Sequence, residues 1–186
     1  MIEIKPNLQH RSNSPYSGKA LKPVKVLWQG THVCVVSESP DGDEIIEELR
    51  IGHAAKTPYQ IDLAKGATFS GDKYAEELLA KPLLKSLKNP QPDKLEISQE
   101  IFKSYQRVIV LNCIDYLYGH SLLKLLNAQR HLESNPDLGV IVIVQKFLRW
   151  MVPEGVAEVW TVPISLKNGQ DYYPSFSEFV EKQSQR

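Results

Sequence analysis

Between Arg107 and Ile164 the chain alternates blocks of apolar residues with amphipathic stretches. Val108 to Leu111, Val140 to Val144 and Ala157 to Val162 are apolar at nearly every position. Between the first two lies a leucine-rich stretch, residues 121–133, whose Leu122, Leu125, Leu126 and Leu132 fall on one helical arc, with Lys124, Asn127 and the surface-facing His131 opposite. A shorter helical pattern, Lys146 to Val152, separates the second run from the third. Apolar runs of about five residues alternating with helices predict βαβ units on a parallel sheet covered on both faces. The predicted fold class is α/β, a three-layer Rossmann-like βαβαβ unit over residues 107–164. Right-handed crossovers bring the loops after all three strands to one edge, where such sheets bind ligands.

The first half reads differently. Residues 1–23 mix Asn, Ser, Pro, Lys and Gly without periodicity and predict a flexible arm. Val24, Val26 and Trp28 alternate, Gln29-Gly30 can turn, and Val33 to Val36 is a second apolar run, which together predict a hairpin. Ser39-Pro40-Asp41-Gly42 is turn chemistry, and Ile45 to Ile51 returns as a third strand, so a small β-rich segment covers about 24–51. The carboxylates Asp41, Asp43, Glu44, Glu47 and Glu48 lack the spacing of a calcium loop and read as a solvated turn. Asp72 stands as the N-cap of a helix through Tyr74, Leu78 and Leu79 that Lys81-Pro82 interrupts. Two prolines in Asn89 to Asp93 mark a boundary between a 24–92 unit of hairpin, meander and short helices and a 93–186 α/β unit. Ser98 to Tyr105 fits a short helix, and Phe176, Phe179 and Val180 fit one more after the third strand.

Composition narrows the partners. Lys plus Arg equals Asp plus Glu at 22 each, so no global field recruits nucleic acid or an anionic membrane. Cys34 and Cys113 sit inside predicted strands as buried free thiols, no run reaches the length of a membrane span, and Met1 to Lys5 lacks a signal-peptide core. The expected location is cytoplasmic. The five histidines show no paired ligand spacing, so neither a metal nor a cofactor is expected. A small nucleotide-binding domain is disfavoured by the lack of a Gly-x-Gly-x-x-Gly turn or a Walker lysine.

The densest chemistry is the loop after the first parallel strand, which carries Asn112, Asp115, Tyr116, Tyr118, Gly119, His120 and Ser121. His120 at a helix start is disfavoured as an imidazolium, so it can act as a general base with Asp115 orienting it. Asn112, Tyr116, Tyr118, Gly119 and Ser121 are then substrate-binding candidates, joined by Gln145 and Lys146 at the end of the second strand. Trp150 and Trp160 are expected to pack internally.

The order strand, Gly119-containing loop, leucine-rich helix, strand, Val152-Pro153-Glu154-Gly155-Val156, strand ending Glu158-Val159-Trp160 resembles the amino-terminal Rossmann-like half of a GT-B glycosyltransferase, in the manner of the heptosyltransferases. Where those read Gly-Asp, this chain has Gly119-His120, which is similar to the helix start of the xylosyltransferase-related enzymes. The resemblance implies the acceptor-side wall of a nucleotide-sugar transferase cleft, a glycan acceptor or nucleotide-sugar as ligand, and a second domain or chain to complete the cleft. On that basis the chain is expected to be a truncated half, nearly inactive alone. The competing expectation is a non-catalytic interaction module that uses an open sheet edge to bind a partner protein.

Overall fold

The computed structural model describes residues 10–50, 53–92 and 94–184. It is an α/β protein with a five-stranded antiparallel sheet and a mixed four-stranded sheet.

The first sheet is a meander of β1 (Lys22–Gln29), β2 (His32–Glu38), β3 (Glu44–Glu48), β4 (Tyr59–Asp62) and β5 (Ala67–Ser70), in that spatial order. The β1–β2 hairpin and the return of β3 are as the alternation predicts, with Cys34 opposite both Leu27 and Glu48. Ser39 builds the next turn: its hydroxyl accepts from the Asp43 N–H at 2.9 Å, and its carbonyl accepts from Gly42. A one-turn helix α1 (His53–Lys56) joins β3 to β4.

One face of the meander, with Cys34, Val36, Ile46 and Ile61, packs against Leu79, Leu83 and Leu87 of the helical segment that follows β5. That segment opens as α2 (Lys73–Ala75), and the Asp72 carboxylate caps it by accepting from the Ala75 N–H at 2.9 Å. It does not break at Lys81-Pro82. A π turn at Glu76–Ala80 resets the backbone so that Pro82 falls in the first turn of α3 (Lys81–Lys88), where its missing N–H costs little.

The flexible arm expected over 1–23 lies outside the described residues up to position 9, and its described part is docked. Asn13 bridges to Ala20, Ser14 and Leu21 are buried, and the Tyr16 hydroxyl donates to Asp62 at 2.8 Å with its ring edge-on to Phe69. Glu47, expected in a solvated acidic turn, is buried beneath this arm, where it meets His10 at 2.9 Å and accepts from the Ser12 hydroxyl.

The second sheet contains β6 (Ser98–Ile101), β7 (Val108–Asn112), β8 (Gly139–Gln145) and β9 (Glu158–Val162) in the order β6-β9-β8-β7. β7, β8 and β9 are parallel, as the apolar runs predict. β6 is a correction: the helix expected over Ser98–Tyr105 is an edge strand antiparallel to β9. It widens this sheet to four strands, while the strands of the 24–51 segment belong to the other sheet.

Helix α4 (Tyr118–Ser134) lays Leu125 and Ala128 on Val140, Val142 and Val159, and a 3-10 turn at Lys146–Met151 adds Leu148 on the same face. Helix α5 (Pro174–Gln183) covers the opposite face with Phe176 and Val180 against Ile141, Ile143 and the fully buried Trp160, and β1 contributes Trp28. Two expected core residues point outward instead. Leu126 lies well round the helix from the Leu125–Ala128 stripe, and Trp150 on the 3-10 turn is 76% exposed. Burial pushes the Cys34 thiol well up and that of Cys113 up to about 12, which leaves both inert.

Candidate functional site

The carboxyl end of β7, predicted as the ligand edge, is filled by backbone. In the turn between β1 and β2, Gly30 has φ +34, and a Cβ there would collide with the carbonyl oxygen of Gly169. A Cβ on Gly169 would in turn lie 2.7 Å from the carbonyl oxygen of Asp115. Two glycines thus let three chain segments stack where side chains would hold them apart. Hydrogen bonds fasten the stack: the Thr31 N–H donates to the Gly169 carbonyl at 2.8 Å, and the Asn112 side-chain amide donates to the Gly30 carbonyl at 2.7 Å. Asn112, predicted to bind substrate, is therefore a clamp between the two sheets.

Three more predicted residues face inward. Gln145 is fully buried; its carbonyl accepts from the Asp115 N–H and the Ser121 hydroxyl, each at 3.4 Å, and its amide donates to the Ile164 carbonyl at 3.2 Å. It ties the loops after all three parallel strands together. Asp115 is buried as well, with one oxygen accepting from the Leu117 N–H at 3.0 Å and the other from Lys124 Nζ at 2.9 Å. Lys124 also donates to the Ile114 carbonyl at 2.6 Å.

The remaining predicted residues are accessible but scattered. His120 is half exposed, with Nδ1 3.6 Å from Asp115, beyond hydrogen-bond range. The imidazole and carboxylate are near neighbours, and the carboxylate is already engaged. Tyr116 stands beside them, its hydroxyl pushed upward by partial burial and by the Asp115 charge. Tyr118 points away, toward the Met151 sulfur at 3.9 Å, and nothing lies within 4 Å of where a Gly119 Cβ would be. Lys146 lies apart, at the carboxyl end of β8.

The sequence reading missed a polar cluster at the end of the meander's core face. His32, Glu48 and Tyr59 belong to three successive strands, and their register unites them: Glu48 meets His32 Nδ1 at 2.9 Å and accepts from the Tyr59 hydroxyl at 2.7 Å. Nothing in the local sequence pairs the three residues, which are brought together only by strand register. Burial by itself raises the Glu48 carboxyl, but the His32 contact, the Tyr59 hydroxyl and the nearby Lys124 charge outweigh it and hold the group below its usual range. A carboxyl depressed by folding contributes stability that is present above its unfolded value and lost as pH falls through the folded one. The urea midpoint of the wild type is therefore expected to fall with acidification below about pH 4.3, and that of Glu48→Gln to fall less steeply. Parallel slopes in the two proteins would refute this role for Glu48.

An open region surrounds β6, which pairs with β9 on one side and with no described strand on the other. Ile101 and Phe102 at its end are 60% and 56% exposed. Arg149 grips Glu100 with two hydrogen bonds, 2.6 and 2.8 Å, and lies 5.9 Å over the Phe102 ring. A cavity of about 420 Å³ opens at this end, lined by Phe102, Arg149, Val152, Pro153 and Val156. Another, of about 570 Å³, opens at the Ser98 end, lined by Lys94, Ser98, Lys146 and Thr161. A wider hollow of about 820 Å³ lies on the meander's outer face around Glu47, whose carboxylate is already held by His10 and Ser12. Among the described residues no three His, Cys, Asp or Glu side chains are arranged to hold a metal ion, and no helix is long and apolar enough to cross a membrane. No family model, curated protein or solved structure matches the chain.

Proposed function

We propose that the protein is a non-catalytic interaction module that binds an extended segment of a partner protein along the free side of β6. The observation that carries this reading is the edge itself: a strand whose outer side pairs with no described strand, ending at the exposed Ile101 and Phe102, with a cavity at each end. An added strand gains main-chain hydrogen bonds from such an edge and side-chain selectivity from the cavities beside it. The charges select the occupant. Lys94 and Lys146 outnumber Glu96 in the Ser98 cavity, while in the other Phe102, Val152, Val156 and Val159 form an apolar wall beside Lys103, Glu154 and the paired Arg149, so the proposed segment is acidic at one end and apolar at the other. β6 has four residues, which at about 3.4 Å per residue separates the two features by three or four positions.

A second reading, a Rossmann-like half of a glycosyltransferase with His120 as base, draws on the exposed imidazole beside Asp115. It requires an open cleft beyond Asn112–Ser121, where Asn112, Ser121 and Gln145 are engaged internally.

The test is selection of a displayed library of random extended peptides against the full chain. Enrichment of an acidic residue three or four positions from an aromatic or aliphatic one is expected, with slowed amide exchange over Ser98–Ile101 on binding. Phe102→Ala is expected to weaken the selected peptide about tenfold. Protection of β7 instead, or no enriched pattern, would overturn the proposal. Pairing of two copies through β6, seen by light scattering, would replace the partner segment with a second chain. Hydrolysis of a nucleotide-sugar that disappears in His120→Ala would favour the second reading.

A further inference from the structure

We propose that the cavity at the Ser98 end of β6 is an oxyanion site that takes a phosphate or carboxylate group. It lies at the carboxyl ends of the parallel strands β8 and β9, because Lys146 directly follows Gln145 and Pro163 directly follows Val162. In open α/β sheets this is the edge that receives ligands, and here the β7 portion of it is closed by the Gly30–Gly169 stack. The β8–β9 portion stays open, with about 570 Å³ of space.

The lining supplies the chemistry. Lys94 and Lys146 bring two ammonium groups, neither paired with a carboxylate among the described residues, against the single acid Glu96. A lysine is a point charge with three donors and serves an oxyanion of either geometry. The independent observation is Thr161. It lines the same cavity, is 7% exposed, and its hydroxyl has no hydrogen-bond partner. A buried hydroxyl left unpaired is destabilising, and a valine of the same shape would be the better packing residue. A rotation about χ1 turns that hydroxyl to a new acceptor, and an oxyanion held between the lysines supplies one. Ser98, opposite Thr161 in the β6–β9 register, offers a second hydroxyl at the rim.

The site stands on these residues whether or not β6 takes a partner strand. Its anion has two possible sources, a free phosphorylated or carboxylated small molecule and an acidic side chain of the partner segment.

The experiment is a titration of the isotopically labelled full chain with inorganic phosphate, followed by amide shifts at constant ionic strength set with sodium chloride. Saturable shifts confined to residues 94–98, 146 and 161–163 are expected. Lys146→Gln and Thr161→Val are each expected to weaken phosphate binding about tenfold, the worth of one charge-assisted hydrogen bond. Thr161→Val is also expected to leave the urea midpoint unchanged or higher, which separates loss of the site from loss of the fold. Shifts spread over lysines across the surface, or equal binding by wild type and both variants, would overturn the proposal. A peptide selected on β6 that is displaced by phosphate assigns the anion to the partner segment; one that binds undisturbed assigns it to a free small molecule.

Discussion

Gly30→Ala is expected to lower the stability of the chain by roughly 3 kcal/mol, because it adds a left-handed backbone cost to a collision that the neighbours cannot relieve. The methyl group meets the carbonyl of Gly169 rather than a movable side chain, and Gly169 is itself pressed against the backbone of Asp115. Relief requires the hairpin turn to withdraw, and withdrawal breaks the Thr31 to Gly169 and Asn112 to Gly30 hydrogen bonds. Gly18→Ala is the control. It shares a positive φ, +70, but a Cβ there meets nothing within 4 Å, so it is expected to cost only about 1 kcal/mol. Urea unfolding of the two variants measures the difference. Equal costs would mean that the stacked backbones contribute nothing beyond the φ preference.

Gln145→Leu is the second large effect, also roughly 3 kcal/mol. The substitution keeps the volume and the burial but strands the Asp115 N–H, the Ser121 hydroxyl and the Ile164 carbonyl, each at a cost of about 1 kcal/mol or more. Ser121→Ala should cost less than half as much, since Gln145 keeps its bonds to Asp115 and Ile164. Urea midpoints at unchanged slope decide it, and a Gln145→Leu variant as stable as wild type would show that the loops hold without their common tie.

Much of the architecture was legible because local pattern and tertiary environment agreed. Val108 to Leu111 and Val140 to Val144 are apolar throughout and Ala157 to Val162 is so except at Glu158 and Thr161, and each became a strand packed on both faces. Strand β6 was not legible, since Ile101, Phe102 and Tyr105 fall on one helical face behind Ser98 as an N-cap, while the strand is four residues long and keeps Ile101 in solvent. For so short an edge strand, pairing with β9 decides the conformation and side-chain periodicity does not.

The loop 112–121 was found by its composition, but its role was hidden by distance along the chain. Asn112 meets its partner 82 positions away, and nothing near Asn112 announces Gly30. Lys146 drew attention only as the end of a strand. Thr161 is brought near it by the parallel β8–β9 register, but Lys94 reaches it only through the antiparallel placement of β6 that sequence periodicity missed.

The proline pair between Asn89 and Asp93 reads as a seam between two separable pieces. The stack at Gly30, Gly169 and Asp115 makes that seam covalent only. The turn of one sheet closes the carboxyl end of the other, Gln29 reaches across to the Gln170 carbonyl, and Trp28 fills the core beneath α5. A cut at the prolines would leave one piece with its strand ends uncapped and the other with a tryptophan in water. The Gln91 N–H, which donates to the Tyr172 carbonyl at 2.7 Å, ties even the proline segment itself to the second sheet's unit.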